Sequence, residues 1–151
     1  MFKSFMQIAI QEAKLAKEQG EVPVGAVIIN PAREIISRGR NMTRSLKDPT
    51  AHAEIIAIRK ACTYLDSERL TGCSIYVTLE PCSLCASAIS FAHLKSLFYG
   101  ASDLKSGAVA SGQKIFSCRQ THFKTEIFNG FHEEEISSLM KDFFLSLRKS
   151  K

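Results

Sequence analysis

The chain opens on MFKSFMQIAIQEAKLAKEQG, where Phe2, Phe5, Met6, Ala9, Ala13 and Ala16 share one face at helical spacing and Lys and Glu take the other. This pattern predicts an amphipathic helix that stops at Gly20. VPVGAVIIN (Val22 to Asn30) is apolar nearly throughout and reads as a buried strand. Asn30-Pro31-Ala32 forms a turn, and EIISRGR (Glu34 to Arg40) returns as the hairpin partner. A polar loop, NMTRSLKDPT, ends in Asp48-Pro49-Thr50, residues that cap and open a helix over AHAEIIAIRKACTYL. Ile55, Ile56, Ala57 and Ile58 are expected on the buried side of that helix.

After a turn at Thr71-Gly72, SIYVTLE is rich in β-branched and aromatic residues and reads as a strand. Pro81 cannot donate to a sheet ladder but fits the first turn of a helix, so a helix is expected from Pro81 through LCASAISFAHL. LKSLFYG follows as a strand, Ala101 to Gln113 as a loop, and TEIFNG as the last strand. HEEEISSLMKDFFLSLRKSK closes as an amphipathic helix with acids early and bases late, matching its dipole. This order predicts an α/β protein: a three-layer α/β/α sandwich around a mixed five-stranded sheet, opened by an antiparallel hairpin and continued by helical crossovers.

At 151 residues, 45% hydrophobic and 23% charged, the chain suits one domain over residues 1–151, without disordered or membrane character. The apolar runs are too short to span a bilayer. The N-terminal segment has no apolar core followed by a small-residue cleavage site, so a cytoplasmic protein without membrane contact is expected. An odd count of five cysteines argues against a disulfide framework, so each needs its own explanation. A net charge of +5 suits an anionic partner such as nucleic acid, although many enzymes carry such a charge without one. Arg33, Arg38, Arg40, Arg44 and Lys47 cluster around the hairpin and the loop after it, with Arg148, Lys149 and Lys151 at the C-terminus. These bases fit either a solvated face or a surface that contacts phosphate.

Cys82 and Cys85, at i and i+3, share one face at a helix start, where unpaired backbone N–H groups favour thiolates. Two such thiolates can chelate a metal or exchange disulfides. His52 also sits at a helix start, and His52, Cys82 and Cys85 form a one-nitrogen, two-sulfur set suited to tetrahedral Zn²⁺. Three protein ligands leave a fourth position for water, the pattern of a catalytic rather than a structural zinc. Zinc brings the pKa of its water from near 15.7 to about 7. Glu54, two residues beyond His52, can stand beside the metal without binding it and serve as the proton shuttle.

A thioredoxin-like pair is the main competitor, but Pro81 precedes the cysteines instead of lying between them, and H-x-E would then have no role. A structural zinc needs a fourth ligand, and Cys73, Cys118, His93 and His122 lack a matching paired spacing. Cys62 reads as a core cysteine, and Cys73 and Cys118 as unliganded thiols. His93 and His132 sit at helix ends in cap or surface roles, and His122 lies in a polar stretch open to solvent or substrate.

H-x-E followed by P-C-x-x-C matches a known signature of zinc deaminases that act on nucleobases. EVPVGAV (Glu21 to Val27), GRN (Gly39 to Asn41), DPTAHAE (Asp48 to Glu54), YVTLEPCSLC (Tyr76 to Cys85), FYGASDLKSGA (Phe98 to Ala108) and DFF (Asp142 to Phe144) extend the match over most of the chain. With these segments the sequence resembles the bacterial tRNA-specific adenosine deaminases of the cytidine deaminase-like superfamily. D-x-K-x-G at Asp103 to Gly107 points to that branch.

The resemblance implies one Zn²⁺ per subunit on His52, Cys82 and Cys85, with Glu54 as the catalytic acid and base. It implies hydrolysis of adenosine to inosine at the wobble position of a tRNA anticodon stem-loop by a homodimer. It places Asn41 on the base or its sugar, and Asp103 and Lys105 in the loop that meets the flanking nucleotides. Two departures stand out: Leu84 replaces the family's usual Met, a volume-conserving change. Val109 to Lys124 drifts from the family's pattern. A zinc deaminase of free guanine, cytosine or cytidine is the alternative enzyme, and a non-enzymatic zinc-stabilised or RNA-binding protein is the third reading. Glu54 disfavours the last, because a structural site has no use for an unliganded carboxylate.

Overall fold

Helix α1 (Phe5–Glu18) starts on a capping box: Ser4 Oγ accepts from the Gln7 amide, and the Gln7 side chain accepts from the Ser4 amide. The computed structural model describes residues 4–149, so Phe2 and Lys151 lie outside the described residues. Met6, Ala9, Ile10, Ala13 and Ala16 form the buried stripe of α1, close to the expected face, and Gly20 leaves the helix with φ +78°.

Strands β1 (Gly25–Ile29) and β2 (Ile35–Arg40) form the antiparallel hairpin. Helices α2 (Thr43–Leu46) and α3 (Ala53–Leu65) follow, then strand β3 (Ser74–Leu79) and helix α4 (Ser83–Phe91). Strand β4 (Ser96–Ala101) leads through a loop and a 3-10 turn at Ile115–Ser117 to strand β5 (Glu126–Phe128) and helix α5 (Glu133–Lys149). The sheet order is β2-β1-β3-β4-β5. β1 lies antiparallel to both β2 and β3, and β3, β4 and β5 run parallel.

Alternate residues of the strands feed two cores. Ile28, Ile75, Val77, Leu97 and Tyr99 face α3 and α4, whereas Val27, Ile29 and Ala101 face Met6 and Ile10 of α1 and Ile136 of α5. The expected three-layer sandwich around a mixed five-stranded sheet is therefore present. No helix among the described residues is long and apolar enough to cross a membrane.

Two local expectations need correcting. The buried stripe of α3 is Ala53, Glu54, Ala57 and Ala61, while Ile55, Ile56 and Ile58 are half-buried. The cause is Gly39 in β2: a Cβ there would stand 2.3 Å from the Ala53 carbonyl and 2.7 Å from the Ala57 amide. The helix backbone rests on the strand, so only small side chains fit between them. The loop after β2 also contains α2, which its polar sequence did not announce. Its amides at Arg44 and Ser45 donate to the carboxylate of Glu21 at 3.1 and 2.7 Å, a partner distant in sequence.

Burial raises the Glu21 carboxyl, but hydrogen bonds from Ser45 and Arg44 and the nearby Arg44 charge outweigh it and hold it below its ordinary value. Its stabilisation is therefore present above the ordinary carboxylate range and lost as pH falls through the lowered folded value. Glu21→Gln should melt below wild type at neutral pH, with the gap closing below about pH 4 in thermal melts across that range. Gly39→Ala should cost about 1–3 kcal/mol through overpacking. Melting curves would show it as a fall of about 2–4 °C per kcal/mol.

Candidate metal centre

Strand β3 ends at Leu79, and the chain passes through Glu80 and Pro81 to Cys82, which occupies the N-cap of α4. The helix starts at Ser83, not at Pro81 as expected, because the Pro81 carbonyl is turned to accept the Ala108 amide at 2.9 Å. His52 is likewise the N-cap of α3, with φ −74° and ψ 156°. Neither side chain makes the cap hydrogen bond that Ser, Thr, Asp or Asn ordinarily supplies at such a position. Both side chains turn towards each other instead.

His52 Nδ1 lies 3.6 Å from Cys82 Sγ and 3.4 Å from Cys85 Sγ, and all three ligand atoms fall within 4.8 Å of one another. A tetrahedral zinc with ordinary bond lengths requires about 3.5 Å between nitrogen and sulfur and about 3.8 Å between sulfurs. The residues therefore fit Zn²⁺ with little movement. Cys62, Cys73, Cys118, His93 and His122 stand outside the group, so a fourth protein ligand is not supplied from among them. The Pro49 carbonyl hydrogen-bonds the His52 ring, fixing the ligand's orientation from behind.

The electrostatics of the cluster favour a metal. Hydrogen bonds from Cys85 and His52 pull the Cys82 thiol down to about 4. The neighbouring Cys82 sulfur, burial and Glu54 push Cys85 up. The Cys82 hydrogen bond raises His52. Two sulfurs and a carboxylate packed together repel one another, and a divalent cation relieves that repulsion. Glu54 is 4% exposed, and burial raises its carboxyl to about 7.

His52, Glu54 and Cys82 line a cleft of about 240 Å³ with Asn41, Asp103 and Ser106. Asn41 is buried just beyond β2, its amide donating to the Val24 carbonyl at 3.2 Å. Lys105 does not line this cleft; its side chain is exposed, and its amide donates to Asp103 Oδ1. The basic cluster seen in sequence is partly engaged elsewhere. The Arg33 guanidinium lies 5.1 Å over the Phe5 ring, Arg40 pairs with Glu12 at 3.3 Å, and Arg44 donates to the Gly20 carbonyl. The sequence reading passed over Thr43, Ser106 and Glu80 as lining residues. For Glu80 a signal existed: an acid between the end of a strand and the ligand-bearing turn.

Residues 2–101 match the model of the cytidine and deoxycytidylate deaminase zinc-binding region. A protein of Agrobacterium fabrum named tRNA-specific adenosine deaminase is 49% identical over 144 residues, covering 95% of this chain and 94% of the relative. A solved structure from a study of A-to-I editing by tRNA:A34 deaminases at the wobble position of transfer RNA superposes with a TM-score of 0.88. It is 49% identical and covers 89% of this chain and 97% of its own. The structure of a guanine deaminase from Bacillus subtilis is 41% identical with a TM-score of 0.63, over 65% of this chain and 62% of its own. With this ligand geometry and these near full-length matches, the chain belongs to the zinc-dependent cytidine and deoxycytidylate deaminase family, on its tRNA-specific adenosine deaminase branch.

Proposed function

We propose that this protein hydrolyses adenosine to inosine at the wobble position of a tRNA anticodon, releasing ammonia. The observation that carries the reading is the meeting of an open three-ligand zinc set with a buried carboxylate at one cleft. The near full-length likeness to proteins named for tRNA adenosine supports the choice of substrate.

When bound, Zn²⁺ supplies the Lewis acidity that makes water nucleophilic near neutral pH. Glu54 does the proton work. Its carboxylate takes a proton from the attacking water and delivers it to N1 of adenine as C6 becomes tetrahedral. It then takes the proton of the new C6 hydroxyl and passes it to the departing amine, so that the C6–N bond breaks, ammonia leaves, C6 becomes a carbonyl and the nucleoside becomes inosine. A carboxyl raised by burial holds a proton more firmly than an exposed one, as both halves of this shuttle require.

Asn41 holds the base or its sugar from the end of β2. Asp103 and the exposed Lys105 meet the flanking nucleotides. An anticodon loop presents unstacked bases, so the target enters the cleft without unpairing a duplex. The second reading, a deaminase of free guanine, rests on the likeness to the guanine deaminase over part of the chain.

The protein works as one domain over residues 1–151, in the cytoplasm, where five free thiols stay reduced. It functions as a homodimer through the outer face of α4. Leu84 and Phe91 are 41% and 64% exposed there, in line along the helix with Ser87 and Ala88. Leu84 thus has a use beyond spacing the ligand cysteines.

Zinc-loaded protein offered an anticodon stem-loop, free guanine and free cytidine should release ammonia only with the stem-loop. Turnover of a free base with the stem-loop untouched would establish the second reading instead. Glu54→Ala should keep its zinc and lose about a hundred- to ten-thousand-fold in kcat. Cys85→Ala should lose the metal as well, as measured by elemental analysis. Phe91→Glu should run as a monomer in light scattering at concentrations where wild type runs as a dimer.

A further inference from the structure

Glu80 is 2% exposed, lines the same cleft as Glu54, and plays no part in the chemistry above. Its carboxylate has no capacity left for substrate. Oε2 accepts the consecutive backbone amides of Val109, Ala110 and Ser111, each at 3.0 Å. Oε1 accepts the Asp103 amide at 3.0 Å and the Ser111 hydroxyl at 3.1 Å. Five donors saturate an ionised carboxylate, which offers about four lone-pair positions. Glu80 therefore cannot serve as a second acid or base.

All five donors belong to one irregular segment, Asp103 to Ser111, between β4 and the 3-10 turn. Three successive amides turned onto one oxygen form an anion nest, filled here by the chain's own side chain. Gly107 is part of the seat, because a Cβ there would stand 2.4 Å from Glu80 Cδ and 2.5 Å from the Asp103 carbonyl. The segment presents Asp103 and Ser106 to the cleft and leaves Leu104 and Lys105 exposed at its outer edge. It has no regular secondary structure of its own; the Glu80 hydrogen bonds tie it at both ends, alongside the Ala108 amide on the Pro81 carbonyl and the burial of Val109.

We infer that Glu80 is a positioning residue that locks the Asp103–Ser111 loop as one wall of the cleft and thereby sets affinity for the polynucleotide rather than the rate of chemistry at the base. This rests on the tRNA reading above. Glu21 similarly fastens α2, whose Thr43 also lines the cleft, through the amides of Arg44 and Ser45.

The test is steady-state kinetics of zinc-loaded Glu80→Gln on an anticodon stem-loop, with amide hydrogen exchange read over residues 103–111. The variant should raise KM by about tenfold or more through donors left unpaired, keep kcat within about twofold, and retain zinc at the wild-type ratio. Exchange should accelerate in the loop and not in α3. Gly107→Ala displaces the loop from the carboxylate without touching the ligand strand. It should give the same split, and it decides the matter if Glu80→Gln does not fold. Unchanged KM and loop exchange overturn the inference, as does a loss confined to kcat or zinc content. A wild-type protein inert on the stem-loop would overturn the substrate reading instead, while the exchange measurement still judges the anchor.

Discussion

The contact of α3 with β2 at Gly39 governs the geometry of everything chemical in this protein. With no side chain between them, the Ala53 carbonyl and Ala57 amide lie against the strand, and the position of the helix start becomes a property of the sheet. That start carries His52 and Glu54. Because β1 is antiparallel to both β2 and β3, those two strands run the same way, and the start of α4, with Cys82 and Cys85, falls at the same end of the sheet. Ligands from two separate segments thus meet because two helices begin beyond the carboxyl ends of β2 and β3, the strands on either side of β1, the usual location of sites in open α/β sheets. Their cap positions are filled by His and Cys in place of hydroxyl or carboxamide side chains, so some helix-end stabilisation is given up for metal ligation.

What sequence made legible follows from this arrangement. The metal ligands and Glu54 were readable because their spacing is local to each helix start, and chemistry restricts which residue types can stand there. The strands were readable from their β-branched runs, although β1 is shorter than the apolar run that announces it. Ile55, Ile56 and Ile58 misled because hydrophobicity was taken as the measure of burial, whereas the proximity of backbones selects alanine. Helix α2, and the anchoring of the expected loop over Asp103–Ser111, stayed hidden for a different reason. Each is organised by a carboxylate distant in sequence, and no local pattern encodes such a partner. The basic cluster stayed open between a solvated face and a phosphate surface, because proximity in sequence does not show that Arg33 covers Phe5 or that Arg40 pairs with Glu12.

Three buried glutamates around one cleft show how the same burial yields opposite chemistry. Glu21, Glu54 and Glu80 are each 4% exposed or less. Desolvation raises all three, and the outcome depends on the donors that answer it. Glu21 meets two backbone amides and Glu80 four, each with a serine hydroxyl besides, and both end below the ordinary carboxylate value. Glu54 meets its own amide and the Cys85 thiol, and the Cys82 sulfur repels it, so it stays near 7. A carboxylate surrounded by fixed N–H donors is a fastener, since protonating it would strand those donors. One left with few donors beside a metal set can exchange its proton at neutral pH without disturbing the fold. The division of labour between scaffold and chemistry is therefore written in donor count, which burial alone does not reveal.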